Sequence, residues 1–201
     1  MLIKTVAVLL TFLAGAMGGN PKVCLDNGAC YIGSWYQTRN GVKFASFQGI
    51  RYAVSPTHTL RFRRPISYEP EENKTYDVSQ ESKVMCPQLN VLSPNFEYIG
   101  QEDCLMLNVY IPEVIYRTPG SKADVMVWIY GGGLATGTNA YGLYGKYIFV
   151  ANVICHNRLD MTMPFLGTFA GWYGPNNFME HNVIMVSMNY RYSGKMTSRK
   201  C

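Results

Sequence analysis

No apolar run in this chain of 201 residues approaches the roughly 20 residues that a membrane-spanning helix requires. The two longest, residues 5–16 and 147–155, fall short, and the second is interrupted by Asn152. Stable membrane insertion is therefore not expected. A C-x-x-C pair and two histidines at ligand spacing are also missing, so neither a metal nor a cofactor is expected. Charge is sparse at 15% Asp, Glu, Lys and Arg. The net excess of +5 comes from Arg61, Arg63 and Arg64 and from Arg191, Lys195, Arg199 and Lys200. Two local clusters are not the continuous basic face that nucleic acid would need. There is no internal repeat, low-complexity tract or clear second domain. The remaining composition, 48% apolar, suits one globular core.

The first residues have the layout of an export leader. Lys4 is the positive end, residues 5–16 are apolar, and Ala14, Gly15, Ala16 and Gly18 form a small-residue cleavage zone. Residues 1–18 are read as a signal peptide and the protein as secreted. Export passes through an oxidising compartment, where thiols tend to pair. Of the six cysteines, Cys86 and Cys104 bracket a short Pro- and Gly-containing segment and are expected to pair. That bridge would contribute about 3 kcal/mol in the chain-entropy account. Cys24 and Cys30 form a small bridge or pair elsewhere, and Cys155 and Cys201 are left open. Asn73-Lys74-Thr75 is an N-glycosylation acceptor in a polar stretch.

Periodicity predicts strands over residues 43–52, 105–111, 125–129 and 182–190. The first alternates like an edge or hairpin strand. The others are apolar runs of the kind buried in the middle of a sheet covered on both faces. Residues 65–98, polar and punctuated by proline, read as a surface excursion. Directly behind Val125-Met126-Val127-Trp128-Ile129 comes Tyr130-Gly131-Gly132-Gly133. Three glycines let successive N–H groups point at one small acceptor without Cβ interference, which is the geometry that stabilises the oxyanion of a tetrahedral acyl intermediate.

Six blocks together carry a family resemblance. They are Gly49-Ile50-Arg51-Tyr52-Ala53; Leu60-Arg61-Phe62 with Pro65; Cys86-Pro87-Gln88; the run from Glu102-Asp103-Cys104 to Asn108-Val109-Tyr110; the strand with Gly131-Gly132-Gly133; and Asn189-Tyr190-Arg191. In order and spacing they resemble the type B carboxylesterases, a group that includes cholinesterases and insect esterases. The resemblance implies the N-terminal part of an α/β-hydrolase fold with a mixed central sheet. It implies a bridge between Cys86 and Cys104, and an oxyanion hole drawing on the Gly132 and Gly133 N–H groups. The substrate class it implies is a small-molecule carboxylic ester.

In that family a third oxyanion donor follows a nucleophilic serine at a G-x-S-x-G elbow, and a distant acid and histidine complete the triad. The sequence holds no G-x-S-x-G. His58, His156 and His181 have no triad context, and Ser187 lies inside a predicted strand, so no catalytic nucleophile, acid or base is assigned. Glu102 and Asp103 are read as structural hydrogen-bonding carboxylates. Arg51 and Ser55 stand where the family usually has prolines, and Tyr130 precedes the glycines as it does in cholinesterases.

The partial domain is read as residues 19–194, truncated before the nucleophile elbow, with an anomalous insert over about 146–171 and an off-family tail over 195–201. The stretch between residues 137 and 173 exceeds what the family needs there, and an unstructured loop of that length is improbable in a compact domain. Gly145-Lys146-Tyr147 is encodable with a splice-donor pattern and Phe169-Ala170-Gly171 with an acceptor. A translated retained intron or a gene-model error is the expected origin, with a genuine lineage-specific loop as the rival. Because strands flanking residues 182–190 are expected to be missing, poor solubility is expected. A serine-esterase lineage lacking its catalytic residues in this chain is the main functional reading. The alternative is a secreted interaction protein of the same fold, resembling neuroligins and glutactin, and the intact glycine triplet favours the enzyme lineage.

Overall fold

The computed structural model describes residues 19–90, 97–133, 136–141 and 174–191. The leader, the 146–171 insert, the 195–201 tail, His156, Cys155 and Cys201 lie outside them. The centre is a five-stranded mixed sheet of β3 (Ser34–Gln37), β4 (Lys43–Arg51), β8 (Met106–Pro112), β10 (Ile184–Met188) and β9 (Val125–Trp128), in that order. Strand β8 runs antiparallel to both β4 and β10, whereas β9 and β10 are parallel.

A second sheet of three short strands, β1 (Lys22–Cys24), β2 (Cys30–Ile32) and β5 (Thr75–Asp77), covers part of one face. Among the described residues there are two disulfides, Cys86–Cys104 with Cα atoms 5.1 Å apart and Cys24–Cys30 at 4.0 Å. The second joins directly opposed residues of the β1–β2 hairpin, and it resolves the alternatives left open for Cys24 and Cys30.

Alternation along β4 serves two cores at once. Phe44 packs with Tyr110, Met185 and Met179, the last from the helix Asn176–Glu180. Ala45 and Phe47 point the other way, toward Tyr31 and Val78 under the small sheet. Strand β4 is thus internal rather than an edge, because both faces and both hydrogen-bonding sides are occupied. Its register shifts between Phe47 and Ile50, where Gly49 adopts φ 80°. The N–H of Gly49 donates to Asn108 Oδ1 at 2.9 Å, which satisfies a group that the bulge takes out of the ladder.

Two other expectations are corrected. Strand β10 is flanked on both sides, by β8 and by β9, so the open edge falls on β9 instead. Strand β9 is not buried: Val125, Met126 and Val127 are each about half exposed, at 56%, 48% and 57%, because it is the last strand of the described sheet. Residues 65–98 are more than a surface excursion. They supply β5 and the pair β6 (Gln88–Leu89) and β7 (Tyr98–Ile99), and they bury Cys86 and Gln88.

Candidate functional site

Strand β9 delivers the chain to the glycine turn. Thr136 N–H donates to the Gly132 carbonyl at 3.1 Å, closing the turn, while Gly132 and Gly133 take φ 142° and 60°. A Cβ on Gly132 would lie 1.9 Å from the Thr136 carbonyl oxygen, so this position accepts glycine alone. Gly131 and Gly133 are exposed and Gly132 half-buried. Neither the Gly132 nor the Gly133 N–H is taken by an acceptor among the described residues. Two donors at a fixed turn, open to a ligand, are what an oxyanion requires.

The turn is held from behind by a buried polar network through residues 136–140. The Gln88 side chain clamps the Gly137 peptide group from both ends, accepting from its N–H at 2.7 Å and donating to its carbonyl at 3.0 Å. Asn189, fully buried after β10, accepts from Asn139 N–H and donates to the Val84 carbonyl, both at 2.9 Å. Asn139 donates to the carbonyls of Met106 and Ser187, and Asn108 Nδ2 reaches the Asn139 carbonyl at 2.8 Å. Loop and sheet are thereby joined by side chains that each serve otherwise orphaned backbone groups. Asn139, whose Oδ1 is buried with no partner among the described residues, borders a cavity of about 10 Å³ with Tyr110, Trp128 and Ser187, about the space of one water. Burial raises the Tyr110 phenol pKa far above its ordinary value, so this hydroxyl stays neutral in the network.

Tyr130, placed before the glycines, is buried and stacked on Tyr190 at 4.6 Å between ring centroids. The Tyr190 hydroxyl donates to the Tyr130 carbonyl at 2.6 Å. The ring of Tyr130 leaves no space for a side chain at position 137, where a Cβ would sit 2.3 Å from it. Arg51, which stands in a usual proline position, forms a bidentate pair with Asp103 at 2.5 and 2.7 Å. The Arg51 hydrogen bonds hold the Asp103 carboxyl below its ordinary pKa, against the opposing effect of burial. Glu102 pairs with Arg61. Both carboxylates are accordingly engaged with arginines.

His58 is exposed on the 3-10 turn His58–Leu60, and His181 is exposed at the end of the Asn176–Glu180 helix. Neither imidazole hydrogen-bonds a serine or a carboxylate among the described residues. Ser187 is a buried strand residue whose carbonyl serves Asn139. Among the described residues no group of three His, Cys, Asp or Glu is placed to hold a metal, and no helix is long and apolar enough to cross a membrane. A larger groove of about 340 Å³ lies between the small sheet and the β4–β8 face, and none of the turn glycines lines it.

Sequence reasoning located the glycines but missed Asn139 altogether. Gln88 and Asn189 stand in the blocks that carry the resemblance, but the sequence does not report what they bind. Nothing local to those residues signals partners so distant along the chain.

The model of the carboxylesterase family matches residues 20–157, a span that ends inside the 146–171 segment. Juvenile hormone esterase of Tribolium castaneum is 32% identical over 162 residues, covering 80% of this chain and 21% of that protein. Esterase E4 of Myzus persicae is 35% identical over 181 residues, with 86% and 31% covered. Acetylcholinesterase 1 of Caenorhabditis elegans is 29% identical over 196 residues, with 90% and 26% covered. The solved structure of juvenile hormone esterase from Manduca sexta, with OTFP covalently attached, superposes with a TM-score of 0.61 at 25% identity, covering 87% of this chain and 27% of that one. The chain therefore spans between about a fifth and a third of the relatives it matches. The mixed sheet described above is part of an α/β-hydrolase fold. With the match running through β4, β8 and β9 into the glycine turn, this chain belongs to the carboxylesterase family.

Proposed function

We propose that this chain carries the oxyanion-binding part of a secreted carboxylic-ester hydrolase, with the Gly132 and Gly133 N–H groups as donors to the tetrahedral acyl intermediate. The observation that carries the reading is the turn itself: two N–H donors at positive-φ glycines with no acceptor among the described residues, braced by a buried network. Such preorganisation costs no rearrangement when charge develops on the substrate oxygen. The nucleophilic serine, acid and histidine of the reaction are not in residues 1–201, which contain no G-x-S-x-G. By itself the chain is inactive as a hydrolase. An interaction protein has no use for a strained, open glycine turn, which favours the enzyme lineage over the adhesion alternative.

The test is covalent labelling with a fluorophosphonate probe, together with 4-nitrophenyl acetate turnover. The 201-residue chain is expected to take no label and show no turnover above buffer. A longer product from the native source that contains the same glycine turn is expected to take one label on a serine. Labelling of the 201-residue chain itself would overturn the assignment of its inactivity, and a longer product without a reactive serine would overturn the hydrolase reading.

A further inference from the structure

The chain contains one N-x-S/T sequence, Asn73-Lys74-Thr75, and the fold displays it on a rigid platform. Asn73 ends a turn in which Lys74 N–H donates to the Glu71 carbonyl at 3.3 Å. The turn is docked on the β1–β2 hairpin: Asn73 N–H donates to the Asn27 carbonyl at 3.3 Å, and Asn27 Nδ2 donates to the Pro70 carbonyl at 3.1 Å. Asn73 itself takes φ 57°, a left-handed conformation that asparagine tolerates better than most residues.

The backbone is held while the side chain is available. Asn73 and Thr75 are both exposed, and neither the Asn73 Nδ2 nor the Thr75 hydroxyl hydrogen-bonds a described residue. The carboxamide is turned with Oδ1 toward Gly28, where a Cβ would approach it to 2.2 Å, so Nδ2 lies on the outward side. Thr75 opens β5, the outer strand of the three-stranded sheet. It sits in register with Cys30, whose partner in a disulfide is Cys24. A bridge next to the acceptor sequence places both in chemistry that belongs to the oxidising export route.

We propose that Asn73 is an N-glycan attachment site, taking its sugar from a lipid-linked oligosaccharide pyrophosphate. In the transfer Nδ2 forms a bond to the anomeric carbon, and the bond from that carbon to the phosphate oxygen breaks. The lipid pyrophosphate leaves with the electron pair, and Nδ2 gives up one proton. The glycan stands beside the β1–β2 turn, where Asn73 is docked on Asn27 and Gly28. The proposal goes beyond the hydrolase reading and rests on the export part of it.

The experiment is translation of the full chain in the presence of microsomal membranes, followed by protease protection and peptide-N-glycosidase treatment. A protected chain with a single upward shift is expected, and the glycosidase removes the shift while converting the amide at position 73 to a carboxylate. Asn73→Gln and Thr75→Ala abolish the shift, and Thr75→Ser retains it. A protected chain without a shift overturns glycosylation and leaves export standing. A protease-sensitive, unshifted chain overturns export and this proposal together.

Discussion

Replacing Asn189 with leucine tests whether the buried network, rather than the glycines alone, holds the glycine turn. Asn189 is 0% exposed, and its side chain satisfies the Asn139 N–H and the Val84 carbonyl. Leucine is close in volume but has no polar atoms, so Asn189→Leu leaves the buried Asn139 N–H unpaired, while the partly buried Val84 carbonyl keeps the longer hydrogen bond from Thr138 Oγ1 at 3.5 Å. The orphaned donor costs about 1–3 kcal/mol. That is a large part of the 5–15 kcal/mol that typically stabilises a domain. The loss falls first on residues 136–140, which the side chain tethers to the sheet. Even the lower bound of about 1 kcal/mol corresponds to roughly 5-fold easier local opening at 1.4 kcal/mol per tenfold. Amide hydrogen exchange, read on peptides covering residues 136–141, is the assay. Arg117→Ala, at an exposed ion pair with Glu113, serves as the control and is expected to change stability by less than about 0.5 kcal/mol. Exchange at Asn139 no faster than in the unsubstituted protein would refute the reasoning.

In a longer, ester-hydrolysing product, Gly132→Ala puts a Cβ into the Thr136 carbonyl and breaks the turn; if one oxyanion donor is lost, kcat falls about 10²- to 10³-fold with a smaller change in KM. Asp103 has a folded-state pKa below its unfolded value, so its pairing with Arg51 stabilises the fold above the unfolded carboxyl pKa of about 3.9 and loses that effect as pH falls through the depressed value. Arg51→Gln should therefore lower stability at neutral pH by less than about 1 kcal/mol, since both groups are partly exposed, and unfolding curves of the two proteins should converge below about pH 4. Removing the Cys86–Cys104 bridge by a double serine substitution should cost about 3 kcal/mol, read as a lower urea midpoint. For the 146–171 segment, peptide mass spectrometry of the native source is expected to find Gly145 or Gly171 joined to Leu143-Tyr144 on one side and Trp172 on the other. Peptides running through Ile148 to Phe169 would refute the intron origin.

Much of the site was readable before any coordinates because its signals are local. An apolar run followed by three glycines specifies a strand and a turn, and φ 142° at Gly132 is an angle that only glycine adopts readily. Glu102 and Asp103 are engaged with Arg61 and Arg51, partners that no local pattern announces. Periodicity placed β4, β8, β9 and β10 but not the short strands β1 to β3 and β5 to β7, and it did not report strand neighbours. Residues 43–52 alternate like an edge or hairpin strand; β4 does form a hairpin with β3, but it also pairs with β8 and is not an edge, and its polar Ser46 and Gln48 are buried because they satisfy each other.

The amino-acid sequence by itself determined the glycine turn and the family, because both are carried by short runs of neighbouring residues whose order and spacing can be read along the chain. Tertiary structure decided what keeps the turn in place. The contacts from Gln88 to Gly137, from Asn139 to Asn189 and from Asn189 to Val84 span 49, 50 and 105 residues, and no local pattern reports a hydrogen bond over that distance. It also decided that β9 ends the sheet with Val125, Met126 and Val127 exposed, since an apolar strand carries no mark of whether another strand will lie beside it.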